Sequence, residues 1–356
     1  MWLFALVLVP VSLAMAYLFE VGPLWVFIAG AVAIVPLAEW IRRATEQMAK
    51  LTSPAIGGLL NLSFGNLAEL LLGLFVLLEG HAEVVKGQIT GSIIGNSLLG
   101  LGLAVFFGSW GRSRQTFERA RAGQLSSLLI LSVVALLLPA IFNYTEQNSG
   151  TLNIGALDEE LSLGVSVVLI LVYVANLIYT LVTHRDVFAR NDEEATPAEW
   201  SMTRSLTVLV AATAVTAVEA EVVSNALEGA ASTLGVTTFF LGVTVLAVIG
   251  NAAEYISAVY FARRDNMDLA VGITIGSTIQ VALLIAPLLV ILSYLFGHPM
   301  NLVFGSLLEL FAIPGVVFIV NAIAEDAETT WFEGLLLLAV YILLALAFFF
   351  VTPPQG

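Results

Sequence analysis

Two glutamates stand inside apolar runs with matching neighbours: Gly65-Asn66-Leu67-Ala68-Glu69 and Gly250-Asn251-Ala252-Ala253-Glu254. A charged side chain at the centre of a bilayer costs about 3 kcal/mol or more, so such residues mark ion pathways, proton relays or paired sites. Within each motif Asn and Glu are three apart, which predicts one shared helix face. The glycine before them predicts close approach of another helix. The simpler alternative is a pair of neutral glutamates that merely hydrogen-bond helices together, but duplication of the Asn along with the Glu argues against it. Two ionised carboxylates brought together repel, and either protons or a divalent cation relieves the repulsion. One site can accept both, but not together at full occupancy, and that mutual exclusion is the chemistry of exchange.

The cation best suited is Ca²⁺, which takes roughly six to eight oxygens from carboxylates, amides and carbonyls. Asn66 and Asn251 can add amide oxygens, and helices loosened near Gly65 and Gly250 would expose main-chain carbonyls. Further polar groups follow each motif, Ser92 with Asn96 and Ser277 with Gln280, spaced so that each pair shares a helix face. They serve either as ligands or as interhelical hydrogen bonds. A second set of acids comprises Glu39 and Glu46 in one apolar run and Glu219, Glu221 and Glu228 in another. Glu39 with Glu46, and Glu221 with Glu228, each form a two-turn stripe, which predicts an entry path on either side; interfacial acids reaching for water are the alternative.

Other chemistries lack their residues. The chain has no cysteine, so thiolate nucleophiles and thiolate metal sites are absent. No phosphate loop, nucleophile elbow or metalloprotease signature appears. Neither enzymatic activity nor a resident cofactor is expected, and nothing points to ATP use. A net charge of -14 argues against nucleic acid as a partner.

The elements that must position these residues are transmembrane helices. The chain is 59% hydrophobic and 11% charged, with a mean hydropathy of +0.97, and apolar stretches of about 20 residues recur along it. They predict an all-α polytopic membrane protein with eleven spans, near 2–19, 24–41, 53–78, 84–108, 122–142, 161–182, 202–228, 236–261, 269–296, 302–322 and 331–351. The first run lacks a basic leader and a cleavage site, and reads as a retained helix. Trp25, Trp40, Trp110, Trp200 and Trp331 fall near predicted ends, as interfacial aromatics do. Pro36, Pro287 and Pro314 lie within spans and predict kinks.

The motifs are related by an offset of 185 residues, from Glu69 to Glu254, which also superposes Thr52 on Thr237, Gly57 on Gly242, Gly87 on Gly272, and Gly91-Ser92 on Gly276-Ser277. The chain is an internal duplication. Twelve of its thirteen basic residues lie in or beside four loops: Arg42, Arg43 and Lys50; Arg112, Arg114, Arg119 and Arg121; Arg185, Arg190 and Arg204; Arg263 and Arg264. Those loops share one side, cytoplasmic by the positive-inside rule, so the N-terminus is expected inside and the C-terminus outside. The two five-span units then run in opposite directions. This gives an N-terminal helix (1–20), a first five-helix repeat (21–183), an acidic cytoplasmic linker (184–200) and a second repeat (201–356). Inverted repeats of this kind place substrate sites near the midplane where the halves meet. The linker, with Asp192, Glu193 and Glu194, is either a solvated hinge or an acidic sensor of cations.

Together these residues resemble the cation/proton exchanger (CAX) family of Ca²⁺/H⁺ antiporters, within the Ca²⁺/cation antiporter superfamily. The matching motifs are the two Gly-Asn-x-Ala-Glu segments, Gly91-Ser92-Ile93-Ile94-Gly95-Asn96 and Gly276-Ser277-Thr278-Ile279-Gln280, and the resemblance covers essentially the whole chain. It implies that Glu69 and Glu254 alternate between Ca²⁺ and protons with Asn66, Asn251, Ser92 and Gln280 nearby, and that spans two and seven slide or tilt. Tyr255 stands where the family often has histidine, and there is no long N-terminal regulatory tail as in plant members; the latter points to a prokaryotic cell membrane rather than a vacuole. The expected activity is export of cytoplasmic Ca²⁺ in exchange for protons. The alternatives are exchange of Mn²⁺ or Na⁺, or a cation channel, since acidic residues also select cations in pores. Oligomeric state is left open.

Overall fold

The computed structural model describes residues 5–147, 154–183 and 197–351. They are helical almost throughout. In chain order the helices are α1 (Leu8–Tyr17), α2 (Pro23–Lys50), α3 (Pro54–Phe64), α4 (Leu67–Leu78), α5 (Ala82–Ser109), α6 (Arg119–Gln147), α7 (Ile154–Ile178) and α8 (Met202–Leu234). There follow α9 (Thr238–Gly250), α10 (Ala252–Arg263), α11 (Met267–Leu295), α12 (Leu307–Asp326) and α13 (Trp331–Phe349). Seven of these are long and apolar enough to cross a membrane, or eight if the bent pair α9–α10 is counted as one span.

Local chemistry sets the helix ends. Pro23 opens α2 at a position whose N–H would have no partner. Ser201 and Thr237 cap α8 and α9 with their hydroxyls. Ser306 with Glu309, and Thr330 with Glu333, form reciprocal capping boxes at α12 and α13. Gly235 ends α8 at φ 68°, a conformation that glycine adopts without strain.

Two expected spans are not continuous helices. The span expected at 53–78 divides into α3 and α4 at Gly65-Asn66, and that expected at 236–261 divides into α9 and α10 at Asn251, with a bend of 53°. Asn66 (φ -99°, ψ 25°) and Asn251 (φ -110°, ψ 9°) therefore occupy the breaks, and Glu69 and Glu254 lie in the first turn of the helices that follow. The expected shared helix face is corrected accordingly: each Asn precedes the helix that carries its Glu. Wide π turns occupy Gly95–Gly100 in α5 and Val281–Ile285 in α11, at matching places after the two motifs. Pro287 follows the second of these turns, and Pro139 is a further proline inside α6.

The second span runs well past the expected limit at 41. Arg42 and Lys50 bond to acids three or four residues away, which holds the last turns of α2 helical. Trp25, Trp110 and Trp331 are exposed near helix ends as expected, but Trp200 is buried. It stacks on Trp40 at 5.7 Å, with the guanidinium groups of Arg43 and Arg204 against its ring.

The basic loops meet at one end of the bundle. Arg43 pairs with Glu199 at 3.0 Å, and Arg112 pairs with Asp265. Arg114 pairs with Glu328, beside a two-residue antiparallel ladder in which Gln115 faces Thr329. At the other end lie the Lys86–Glu83 pair and the approach of His81 to Glu228. Between the ends α2 packs along α8, and α5 crosses α9 closely. A Cβ at Gly91 would run into the main-chain carbonyl of Val243, and one at Gly242 would sit 2.6 Å from that of Val84.

Candidate functional site

The two breaks face each other inside the bundle. Gly250, at the end of α9, rests on Glu69 of α4, where an added Cβ would come within 3.3 Å of the Glu69 Cβ. Glu69 is 1% exposed and Glu254 is 7% exposed, and each lies in the first turn of the helix that follows its break. Ser92 and Asn251 lie against the Glu69 carboxyl group.

The asparagines are bound crosswise. Asn66 donates to Gln280 Oε1 at 2.7 Å, so the first break is tied to α11. Asn251 accepts from Asn96 Nδ2 at 3.0 Å and donates to Ser92 Oγ at 3.0 Å, so the second break is tied to α5. The π turn at Gly95–Gly100 carries Asn96. Tyr255 fills the space that this turn leaves: Cβ atoms on Gly95 or Gly100 would each lie 2.6 Å from it.

Several buried oxygens here have no donor. They are both carboxylate oxygens of Glu69, Oε2 of Glu254 and Oδ1 of Asn96; the Tyr255 hydroxyl, itself able to donate, is also without a partner. Most buried polar atoms in folded proteins are hydrogen-bonded, so these converging oxygens mark a place where protons, water or a cation would be held. A hard cation suits such oxygens. Among the described residues no cluster of three or more His, Cys, Asp or Glu forms. The acids at the centre are therefore two, and further oxygens must come from amides, hydroxyls, carbonyls or water.

A cavity of about 390 Å³ opens toward the end where the basic loops meet. It is lined by Glu254, Asn66, Ser277, Gln280, Arg42 and Glu46, among others. Glu69 is not on its wall, and both of its carboxylate oxygens are sealed. One half of the carboxylate pair is thus open to this side and the other is closed off.

Of the residues picked out from sequence, Glu69, Glu254, Asn66, Asn251, Ser92, Asn96, Ser277 and Gln280 gather at this place. Of the remaining acids, Glu46 lines the same cavity and the others do not. Glu39 accepts two bonds from Arg42, at 2.8 and 2.9 Å, and Glu46 accepts one at 3.2 Å, so neither is a free attractor of cations. Glu219 is fully buried and accepts from Ser12 of α1 at 2.8 Å. Glu221 is exposed on α8, and Glu228 is exposed beside His81. Asp192, Glu193 and Glu194 lie outside the described residues.

Sequence reasoning overlooked Arg42, which it treated as a loop cation; its spacing of three and four from Glu39 and Glu46 was the available signal. It also overlooked Gln88, which donates to the main-chain carbonyl of Glu69 at 3.0 Å. Glu309, buried against Thr90 at 2.7 Å, was missed too, although its capping-box spacing from Ser306 was legible.

Fold and site together define a polytopic helical membrane protein with a buried carboxylate pair where two broken helices meet. The chain belongs to the sodium/calcium exchanger protein family, whose features match residues 22–182 and 204–350. It is 42% identical to a Ca(2+)/H(+) antiporter of Synechocystis sp., over 98% of this chain and 97% of that protein. It is also 42% identical to the Ca(2+)/H(+) antiporter ChaA of Bacillus subtilis, over 91% of each. Among solved structures, native YfkE superposes with a TM-score of 0.85 at 36% identity, covering 99% of this chain and 100% of that one.

Proposed function

We propose that the chain is a secondary active antiporter that moves Ca²⁺ out of the cytoplasm in exchange for protons, with Glu69 and Glu254 binding Ca²⁺ or H⁺ in competition. The observation that carries this reading is the buried Glu69 carboxylate, sealed from solvent beside Ser92 and the cross-bound Asn251, with Glu254 on the wall of the cavity. The Ca(2+)/H(+) antiporters to which the chain is similar support the choice of ions. Protons satisfy the buried acids when Ca²⁺ is absent, and Ca²⁺ binding displaces them.

Eleven spans result if α1, the broken pair α3–α4 and α12 join the eight above, and the matching breaks and π turns support two five-helix repeats flanking a linker at 184–200. With the basic loops inside, the N-terminus is cytoplasmic, the C-terminus is outside, and the cavity at Glu254 is open to the cytoplasm. The buried Glu69 carboxylate, off the wall of that cavity, supports a carrier rather than an open channel. Bacterial relatives support a prokaryotic cell membrane.

The test is reconstitution in vesicles under an imposed pH gradient, with Ca²⁺, Mn²⁺ and Na⁺ movement followed separately. Uphill Ca²⁺ movement driven by the proton gradient is expected. Downhill movement alone would favour a channel, and gradient-driven Mn²⁺ or Na⁺ movement without Ca²⁺ would overturn the choice of cation.

A further inference from the structure

The wall of the Glu254 cavity carries a guanidinium where a stripe of acids alone was expected. Arg42 lies on its wall together with Thr45 and Glu46. Its guanidinium forks onto Glu39, with Nε at 2.8 Å from Oε2 and Nη2 at 2.9 Å from Oε1, and bonds Glu46 through Nη1 at 3.2 Å. Lys50 approaches the other oxygen of Glu46 at 3.3 Å. Along the last turns of α2, Glu39, Arg42, Glu46 and Lys50 alternate in sign and their four formal charges cancel, while Arg43 of the same turns pairs with Glu199. A cation arriving from this side meets a neutral stripe, and then a guanidinium on the same cavity wall as Glu254. An arginine stays protonated at every physiological pH, so this opposing charge is permanent.

We infer that Arg42 is a tethered counter-ion, held by Glu39 and Glu46 at the wall of the cavity, that competes with the incoming divalent cation for the field of Glu254 and so sets the apparent affinity of the cytoplasmic side. A carrier that exports its ion must also give it up, and a site too attractive on the loading side retains it. Arg42 supplies an opposing charge without occupying the site itself, and its two carboxylate partners prevent it from collapsing onto Glu254. This assignment rests on the exchanger reading above.

Opposite substitutions separate a counter-ion from a structural ion pair. Arg42→Gln removes the competing charge and leaves the stripe net negative, so KM for Ca²⁺ presented on the cytoplasmic face is expected to fall by about threefold or more, the order for one charge acting through partly screened solvent. Glu39→Gln leaves the guanidinium less neutralised, so KM is expected to rise. Arg42→Lys keeps the charge and is expected to stay near the unaltered KM. All effects shrink as ionic strength rises. In the Glu39→Gln/Arg42→Gln double variant, which leaves no buried acid unpaired, KM still falls. If Arg42→Gln and Glu39→Gln shift KM in the same direction, or change only the maximal rate in proportion to folded protein, the counter-ion role is overturned. Absence of gradient-driven Ca²⁺ transport by the unaltered chain would overturn both this assignment and the exchanger reading.

Discussion

Asn66, at the break between α3 and α4, donates its amide to Gln280 of α11 across 2.7 Å. The converse bonds join Asn251 to Ser92 and Asn96 of α5. Each break is therefore stapled by the long helix that follows the other break, and the carboxylates are held where the crossed bonds meet. An arrangement of this kind makes the two halves interdependent, because moving one break pulls on the helix behind the other.

Neutral isosteres at the centre will stop transport without unfolding the chain. Glu69→Gln and Glu254→Gln keep the side-chain shape but lose the charge and the proton that the proposed exchange uses. Exchange in vesicles is expected to fall by about 100-fold or more, with unchanged thermal stability in detergent. Exchange near the unaltered level in either variant would exclude the paired-carboxylate site.

Breaking the crossed staples should loosen the site while leaving its acids in place. Gln280→Leu removes the acceptor for Asn66, and an apparent Ca²⁺ affinity weakened by about 10-fold is expected, the usual effect of losing a partner that orients a ligand. Isotopic Ca²⁺ binding to purified protein reads this directly.

Close approach at two glycines gives contrasting outcomes. A side chain at Gly91 meets the Val243 carbonyl, main-chain atoms that cannot swing away, so Gly91→Val should destabilise by about 1–3 kcal/mol and lower the melting temperature. Gly250→Ala instead presses its methyl on the side chain of Glu69 at 3.3 Å. Its expected signature is reduced exchange with a nearly normal melting temperature.

Competition between ions predicts the direction of pH dependence. Carboxylates that carry protons cannot bind Ca²⁺, so apparent Ca²⁺ affinity falls as pH falls. Where both acids are protonated in the Ca²⁺-free state, mass action makes the change up to about 100-fold per pH unit. Proton release on Ca²⁺ addition to weakly buffered protein is the matching measurement, and no release would contradict the shared site.

The N-terminal helix is anchored by a polar contact that can be cut. Ser12→Ala leaves the fully buried Glu219 without its hydroxyl donor and should destabilise by about 1–3 kcal/mol. Thermal unfolding of the detergent-solubilised protein would show it, and Ser12→Thr should restore most of the loss.

Composition and duplication by themselves determined much of this molecule. A chain with so little charge can satisfy its backbone in lipid only as helices, and two acids with matching neighbours inside apolar runs have few structural uses. That is why Glu69, Glu254, their asparagines and the polar residues of α5 and α11 were legible before any coordinates. Only the tertiary structure decided the rest. Hydropathy averages over a window, so it does not register the breaks at Asn66 and Asn251, near which neighbouring side chains such as Gln88, donating to the Glu69 carbonyl, help to satisfy the backbone. Nor does an acid's position along a helix reveal its partner. Glu39 and Glu46 looked like an attractive entry stripe until Arg42 was seen folded onto both, and Glu219 proved to face Ser12 across a helix interface. Those contacts depend on side-chain direction and on neighbours distant in the chain, and packing alone settles them.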